Sequence, residues 1–418
     1  MATRLNEVEG PPPRHVEGSP PRAREAFQTP MAPSGLDEPD NPLARLTPEQ
    51  IEALGREFDA IHDEVFAELG DRDARYIRST IKLHRLLVLA ARAMLLGSRY
   101  KPLWMTGTAA LSVAKILENM EIGHNVMHGQ WDWMNDPDIN SQNWDWDTAS
   151  PADAWRHSHN YEHHTFTNIR GKDRDLGYEI MRIDPHQPWH PVYLLQPLYN
   201  LLLMGFFEWG VALHDLNFDE IRTGKKSKAK VARELKAIGV KARRQIVKDY
   251  VAFPLLTAFA ASARARGKAT PARRAFRSTL AANFTANIVR NVWAYSIIFC
   301  GHFPDQTYTF SPKEVENETR GGWYVRQLLG SANIDGGPLF HLMAGNLSFQ
   351  VEHHLYPDMP SSRYAEIAPR VRDICRRYEL PYNTGPLRKQ LGGVQRTILR
   401  LAFPGGKPRE KPGPYRPA

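Results

Sequence analysis

Residues 350–360 read QVEHHLYPDMP and set two adjacent histidines, His353 and His354, beside Glu352 and three residues after Gln350. A doubled histidine is either an accident of composition or half of a metal site. The rest of the chain decides between the two. Histidine is abundant at 16, and most of the histidines fall into short clusters. In EIGHNVMHGQWDWM, His124 and His128 are four apart, which on a helix places both imidazoles on one face. WRHSHNYEHHTFTN repeats that spacing with His159 and His163 and adds His164.

One such pair is weak support for ligation; three clusters, each beside an apolar segment, are stronger. A zinc ion takes about four ligands. Seven clustered histidines exceed that and point to two metals. HExxH is absent, because His124 and His128 enclose Asn-Val-Met. Imidazole suits iron, copper and zinc. A pair of redox irons would activate dioxygen and attack an unactivated C–H bond, chemistry that ordinary side chains cannot supply.

The 418 residues suffice for one large domain or two ordinary ones. The formal charge of +8 is compatible with an anionic membrane face or a phosphate-bearing substrate. No nucleic-acid recognition motif is present, so no nucleic-acid partner is expected. Cys300 and Cys375 form no CxxC, which suits a reducing compartment. Residues 1–46 read as a disordered tail with no signal peptide. Thr47, Pro48 and Gln50 form a capping box that opens a helix closed at Gly70. From 381 to 418 the chain is rich in Pro, Gly, Arg and Lys and is expected to be loosely ordered. The domain proper is expected over 47–380.

Between the tails lie five apolar stretches, at 81–98, 102–120, 192–214, 250–263 and 279–300. Arg92, Lys115 and Arg290 interrupt them, so none is a clean membrane span. One reading is a soluble protein with buried helices; the other is a membrane bundle that hides its polar groups inside. Residues 215–248 carry eleven basic side chains, which marks them as cytoplasmic. If the histidine clusters share one site, an even number of spans separates them. The expected fold is therefore all-α. Four transmembrane helices, at about 83–98, 102–120, 250–263 and 279–300, carry a cytoplasmic helical cap holding a di-metal site. Residues 192–214 become an interfacial helix lying on the bilayer. The chain is therefore expected to be an integral membrane protein with the site facing the cytoplasm.

HNVMH, HNYEHH and QVEHHLYP resemble the three histidine boxes of the membrane fatty-acid desaturases. The likeness runs from about residue 80 to 380. GKDRDLGY, CGHFPDQTYTF and GNLSFQVEHHLYPDMPSSRYAEIAPRV are similar to actinobacterial acyl-CoA desaturases, and the QxEHH box to the branch with front-end enzymes. The resemblance implies four membrane helices, cytoplasmic boxes and two non-haem irons, with dioxygen as co-substrate. Carried over residue by residue, the ligands are His124, His128, His159, His163, His164, His353 and His354. His302 resembles a further ligand, and Gln350 stands where the stearoyl-CoA branch has a histidine. The HxxxHH spacing of the second box differs from the HxxHH of that branch, so regiochemistry does not carry over. His157 is offset from the helix face of His159 and is read as a non-ligand; His186, His190 and His341 are left open.

Glu121, Glu162 and Glu352 each lie near a box histidine and are candidates to accept its second ring N–H. Asp173 and Asp175 resemble family acids with a supporting role at most. Trp104, Met105 and Leu111 are candidates to line an acyl tunnel. Arg156, and less so Arg78, Lys82 and Arg182, are candidates to hold a CoA head group. The expected substrate is a long-chain acyl-CoA or acyl-lipid, given a cis double bond. With no nucleotide-binding or cytochrome b5 motif in the chain, electrons are expected from a separate ferredoxin-type or flavin reductase, docked on 215–248, with membrane lipid as the other partner. The alternatives are a hydroxylase on the same scaffold and a non-catalytic membrane metal-binding or transport protein.

Overall fold

The computed structural model describes residues 42–407. The tail expected over 1–46 thus lies outside the described residues, apart from the turn Pro42–Arg45 and Leu46. Helix α1 (Pro48–Ala67) opens as its capping box predicts: Gln50 N–H donates to the Thr47 hydroxyl at 3.3 Å, and Thr47 N–H donates to Gln50 Oε1 at 2.8 Å. α2 (Asp71–Leu95) and α3 (Lys101–Ile116) form the expected helical hairpin. α3 runs on through a π-helical segment, Leu117–His124, into α4 (Asn125–Met127). The second histidine cluster is built the same way, from α5 (Ala152–Trp155), a π-helical segment Arg156–His163 and α6 (His164–Phe166).

α7 (Gln196–Gly205) and α8 (Phe207–His214) meet at a break at Phe206. After α9 (Phe218–Arg222), α10 (Lys228–Ile246) continues through a π-helical turn, Val247–Ala252, into α11 (Phe253–Arg264). Among the described residues this continuous Lys228–Arg264 helix alone is long and apolar enough to cross a membrane by length and composition. α12 (Ala269–His302) packs on α3 and α11 and ends in His302. α13 (Arg320–Leu329), α14 (Pro338–Met343), α15 (Gln350–Leu355) and α16 (Tyr364–Arg377) surround the third cluster. α1 crosses α13 closely: a Cβ on Gly321 would lie 2.0 Å from the Ile51 carbonyl oxygen, so only glycine fits there.

Helices dominate, as the all-α expectation requires. The one two-stranded sheet pairs β1 (Asn333–Asp335) with β2 (Thr384–Pro386) in parallel. β2 belongs to a segment expected to be loose, and that expectation is corrected up to residue 401. α17 (Leu387–Leu401) follows β2 and buries Val394, Ile398 and Leu401 at helical spacing. The glycines and basic residues of the segment had masked this narrow apolar stripe. Residues 408–418 lie outside the described residues.

The hairpins are built inside out. α2 exposes Leu83, Leu86 and Leu89, and α11 exposes Leu255, Leu256 and Phe259. Between them sits Asp249, fully buried, which accepts from Arg92 Nη2 at 3.0 Å and from Lys115 Nζ at 2.8 Å. Asn283 of α12 accepts from Arg92 at 2.6 Å. Deeper along α12, buried Arg290 pairs with Glu208 of α8. α7 repeats the inversion: Gln196 and Asn200 are buried while Leu198, Leu201 and Leu202 are exposed. A helix with polar groups inward and leucines outward is the reverse of the usual surface helix.

Removing one partner of a buried pair leaves an uncompensated charge and costs about 3–5 kcal/mol. Asp249→Leu is therefore expected to lower the thermal unfolding temperature sharply. Arg370→Gln, which breaks the exposed pair with Glu64, should cost under about 1 kcal/mol. Equal shifts for the two variants would refute the assignment of Asp249 as the tie between hairpins.

Candidate metal centre

The two π-helical segments carry the first two histidine clusters into the core. A π turn, with i→i+5 bonding, adds a residue to the helical register and is frequent at functional sites. His124 closes one segment, with His128 a turn later; His159 and His163 lie in the other, followed by His164. α15 supplies Gln350, His353 and His354, and α12 delivers His302 at its last residue. A Cβ on Gly301 would lie 2.8 Å from Cγ of Gln350, so glycine there lets α15 approach α12.

The imidazoles gather into two sets whose nitrogens lie within 4.8 Å of one another. His124, His128, His159 and His353 form one; His163, His302 and His354 form the other. His164 stands between them, its ring centroid 4.8 Å from that of His128 and 4.5 Å from that of His354. Gln350 Nε2 lies 3.0 Å from His302 Nε2, while its Oε1 has no partner. The structure thus brings together all eight histidines and the glutamine that the sequence singles out.

Outer ring nitrogens are held by the protein. His124 Nδ1–H donates to Asn125 Oδ1 at 3.0 Å, and His159 Nδ1–H to Asp175 Oδ2 at 3.3 Å. His163 Nδ1 lies 3.1 Å from both oxygens of Asp173. Tyr364 meets His353 Nδ1 at 3.2 Å, and Gln327 Oε1 accepts from His354 Nδ1 at 2.9 Å. On the inner side, Nε2 of His159, His163 and His353 and both nitrogens of His128 and His164 are buried without partners. Buried polar atoms are normally satisfied, so a set of convergent orphans fits a bound cation. Burial and neighbouring imidazoles push His124 down to about 3 and hold His128, His164, His302, His353 and His354 well below the usual range. For His163 burial also lowers the pKa, but Asp173 and Asp175 outweigh it. A neutral imidazole is the ligating form.

The three glutamates do not orient these rings. Glu121 accepts from Tyr76, Asn346 and Ser361, and burial raises its carboxyl to about 7. Glu162 faces His157 and Arg174, and Glu352 accepts from Asn333 and Tyr382. Glu162 and Glu352 adjoin their histidines at i,i+1 and point apart from them, while Glu121, three residues before His124 in the π-helical segment, is taken up by its other partners. Asp173 and Asp175 hold the rings instead. Tyr364, Gln327 and Asn125 were missed; only Asn125, between the first two histidines, sat where the sequence drew attention.

His157 is exposed, His341 meets Ser348 at 2.7 Å, His186 binds Asp184, and His190 caps Val192 N–H. None joins the cluster. Arg156 serves the carbonyls of Ser141 and Trp144 together with Asp153, Arg182 those of Pro185, Gln187 and Leu401, and Arg78 pairs with Asp136. Lys82 is exposed. A cavity with an empty volume of about 760 Å³ reaches His124, His159 and His302. Met120, Trp146, Trp155, Tyr178, Phe207 and Ile298 line it. The expected lining residues lie elsewhere: Leu111 packs with Ala282 and Ala286, Trp104 donates to the Ser278 carbonyl, and Met105 is exposed.

Loss of a carboxylate that orients a ligand typically costs about 10–100-fold in metal affinity. Asp173→Asn should show such a loss in a metal titration, and Glu162→Gln should not. The reverse order would remove Asp173 from this role.

Residues 102–386 match the family model described as fatty acid desaturase. The chain is 48% identical over 362 residues to an NADPH-dependent stearoyl-CoA 9-desaturase of Mycobacterium tuberculosis, covering 87% of this chain and 82% of the relative. It is 25% identical over 337 residues to an sn-1 linoleoyl-lipid 6-desaturase of Synechocystis sp., covering 78% and 88%. A shorter match, 33% over 89 residues, covers 21% of this chain and 20% of human fatty acid desaturase 3. No solved structure matches. With its three histidine clusters folded into one buried centre and a family match over most of its length, the chain belongs to the fatty acid desaturase family and is a desaturase.

Proposed function

We propose that this desaturase binds two non-haem irons and uses dioxygen and two external electrons to place a cis double bond at the 9 position of a long-chain acyl-CoA. One observation carries the reading: two adjoining sets of buried imidazoles, with inner nitrogens unpartnered, meet a largely apolar cavity that His124, His159 and His302 line. Among the metals that imidazole suits, iron is the one whose redox chemistry the desaturase family calls for. When bound, the irons supply the dioxygen activation and hydrogen abstraction that no side chain provides. His124, His128, His159 and His353 would hold one, and His163, His302 and His354 the other, with His164 between them and Gln350 beside His302. The aromatic walls of the cavity position the chain and exclude water from the reacting carbons.

The acyl-CoA choice rests on the relative's substrate and on a second cavity. Its empty volume is about 820 Å³, and it shares Trp146 and Thr148 with the first. Lys241 and Lys248 at its wall are engaged by Asp145 and Asp147. Arg85 and Arg244 at the same wall are exposed, Arg244 at 3.9 Å from Asp145, and suit a phosphate-rich head group. The acyl chain would pass the shared wall and run toward the histidines. Electrons would come from a separate NADPH-dependent flavin or ferredoxin-type partner, with the basic helix α10 as its docking face.

The outward leucines of α2, α7 and α11 support a membrane setting. In it the α2–α3 and α11–α12 hairpins supply four crossings, α7 and α8 lie along the interface, and the histidines face the cytoplasm. Charges buried inside such a bundle are tolerated where they pair with one another.

Expression in a host, followed by gas chromatography with mass spectrometry of its fatty acids, tests the reaction. A product lighter by two hydrogens is expected, and its loss in His353→Ala. A product heavier by one oxygen would identify a hydroxylase, and an unchanged lipid profile a non-catalytic protein. Separately, Arg85→Glu with Arg244→Glu should raise KM for acyl-CoA with little change in kcat, the pattern of lost binding remote from the chemistry. An unchanged KM would displace the head group from this cavity.

A further inference from the structure

The sequence GKDRDLGY at residues 171–178 places two aspartates around one arginine, and each of the three has a different target. Asp173 takes His163. Asp175 uses Oδ2 for His159, at 3.3 Å, and lies 3.7 Å from His163. Its Oδ1 accepts from Nε2 of His214 at 3.0 Å. Arg174 turns the other way, to Glu162, Glu179 and the His214 carbonyl. His214 is the last residue of α8 and is only 7% exposed. It is in neither set of ligand histidines, yet it lines the acyl cavity beside His159.

From this arrangement we infer that His214 is a positioning residue for the metal set that contains His159, acting through Asp175. The physical reason lies in how a carboxylate divides its two oxygens. With His214 donating to Oδ1, only Oδ2 is left for the ligand rings, and the rotamer that favours His159 is fixed. Without that donor, a buried carboxylate oxygen is left unsatisfied, a penalty the side chain relieves by rotating. His163 is the nearest alternative donor, and it is already held by Asp173. Rotation toward it would free the His159 ring and leave His163 anchored. The two metal positions should therefore respond unequally to loss of His214. A second restraint acts on the same residue, since Arg174 fixes the His214 backbone while Asp175 fixes its ring.

This inference rests on the two-iron reading, and the test separates the two. Iron per chain is measured in purified wild type, His214→Ala and His214→Gln after equilibration with a graded ferrous chelator. Helix content and melting temperature are recorded alongside. Wild type should retain two irons. His214→Ala should lose one of them at a chelator strength about 10–100-fold lower than wild type needs, while the other is held as before. His214→Gln, whose amide can still donate to Asp175, should recover much of the difference. Wild type without bound iron would overturn the two-iron reading and this inference with it. If wild type holds iron and His214→Ala holds it equally well, the inference alone falls. It also falls if both variants lose both irons together, or if the melting temperature drops while glutamine gives no rescue, since the residue would then be merely structural.

Discussion

Eight imidazoles packed into a dry interior repel one another when charged and leave buried nitrogens unsatisfied when neutral. Both costs are large enough to unfold a domain of ordinary stability. For His124, His159, His163, His353 and His354 the fold meets the constraint by treating the two nitrogens of a ring differently. Outer nitrogens go to Asn125, the residue next to its ring, and to Asp173, Asp175, Gln327 and Tyr364, which stand 10 to 27 residues from theirs. Inner nitrogens are left to converge. Some of these partners also tie the fold together. Tyr364 donates to the Tyr356 carbonyl, and Gln327 donates to the His164 carbonyl, so the same residues that orient rings also join helices. Buried Arg326 adds to this by holding the carbonyls of Thr165 and Thr167 beyond the second cluster.

The rest of the molecule follows from where such a centre can be kept. The apolar cavity beside it takes part of its wall from the long helix α12, through Asn291, Ile298 and His302. The long helices show leucine to the outside and spend their polar residues on one another. Asp249, Arg92, Lys115 and Asn283 tie four helices with directional contacts, where apolar packing alone would allow sliding. Register between the hairpins thereby sets where α3 and α12 end. Those ends are where His124 and His302 must meet.

Much of this was legible in the residues. The clustered histidines announced the centre, because metal ligands must be specific residue types at helical spacing. The capping box at Thr47 and the α2–α3 hairpin are local features, and local chemistry specifies them. What failed to show was what depends on a third dimension. Adjacent glutamates looked like natural partners for the rings, but the helix turns them away, and the partners come from loops and from other helices. The π-helical segments have no sequence signal comparable to a proline or a glycine, so the ring directions were hidden. α17 was masked by composition, though Val394, Ile398 and Leu401 carried its stripe. The cavity lining was misplaced for a related reason. Trp104 and Met105 lie on the half of α3 away from the histidines, and Leu111, in the nearer half, packs toward Ala282 and Ala286 of α12; apolarity alone tells neither end nor face.

The Asp249 cluster also bears on how the protein is made. Arg92 and Lys115 precede their shared carboxylate by 157 and 134 residues. During synthesis the first hairpin is finished long before Asp249 exists, and of its two cations Lys115 has an earlier partner, Asp147 at 3.5 Å. In the proposed membrane setting, Arg92 without that carboxylate would make the hairpin a poor occupant of a bilayer by itself. The order of assembly is thus written into the ion pairs. In that setting the first hairpin would gain its full set of partners only when the segment carrying Asp249 emerges.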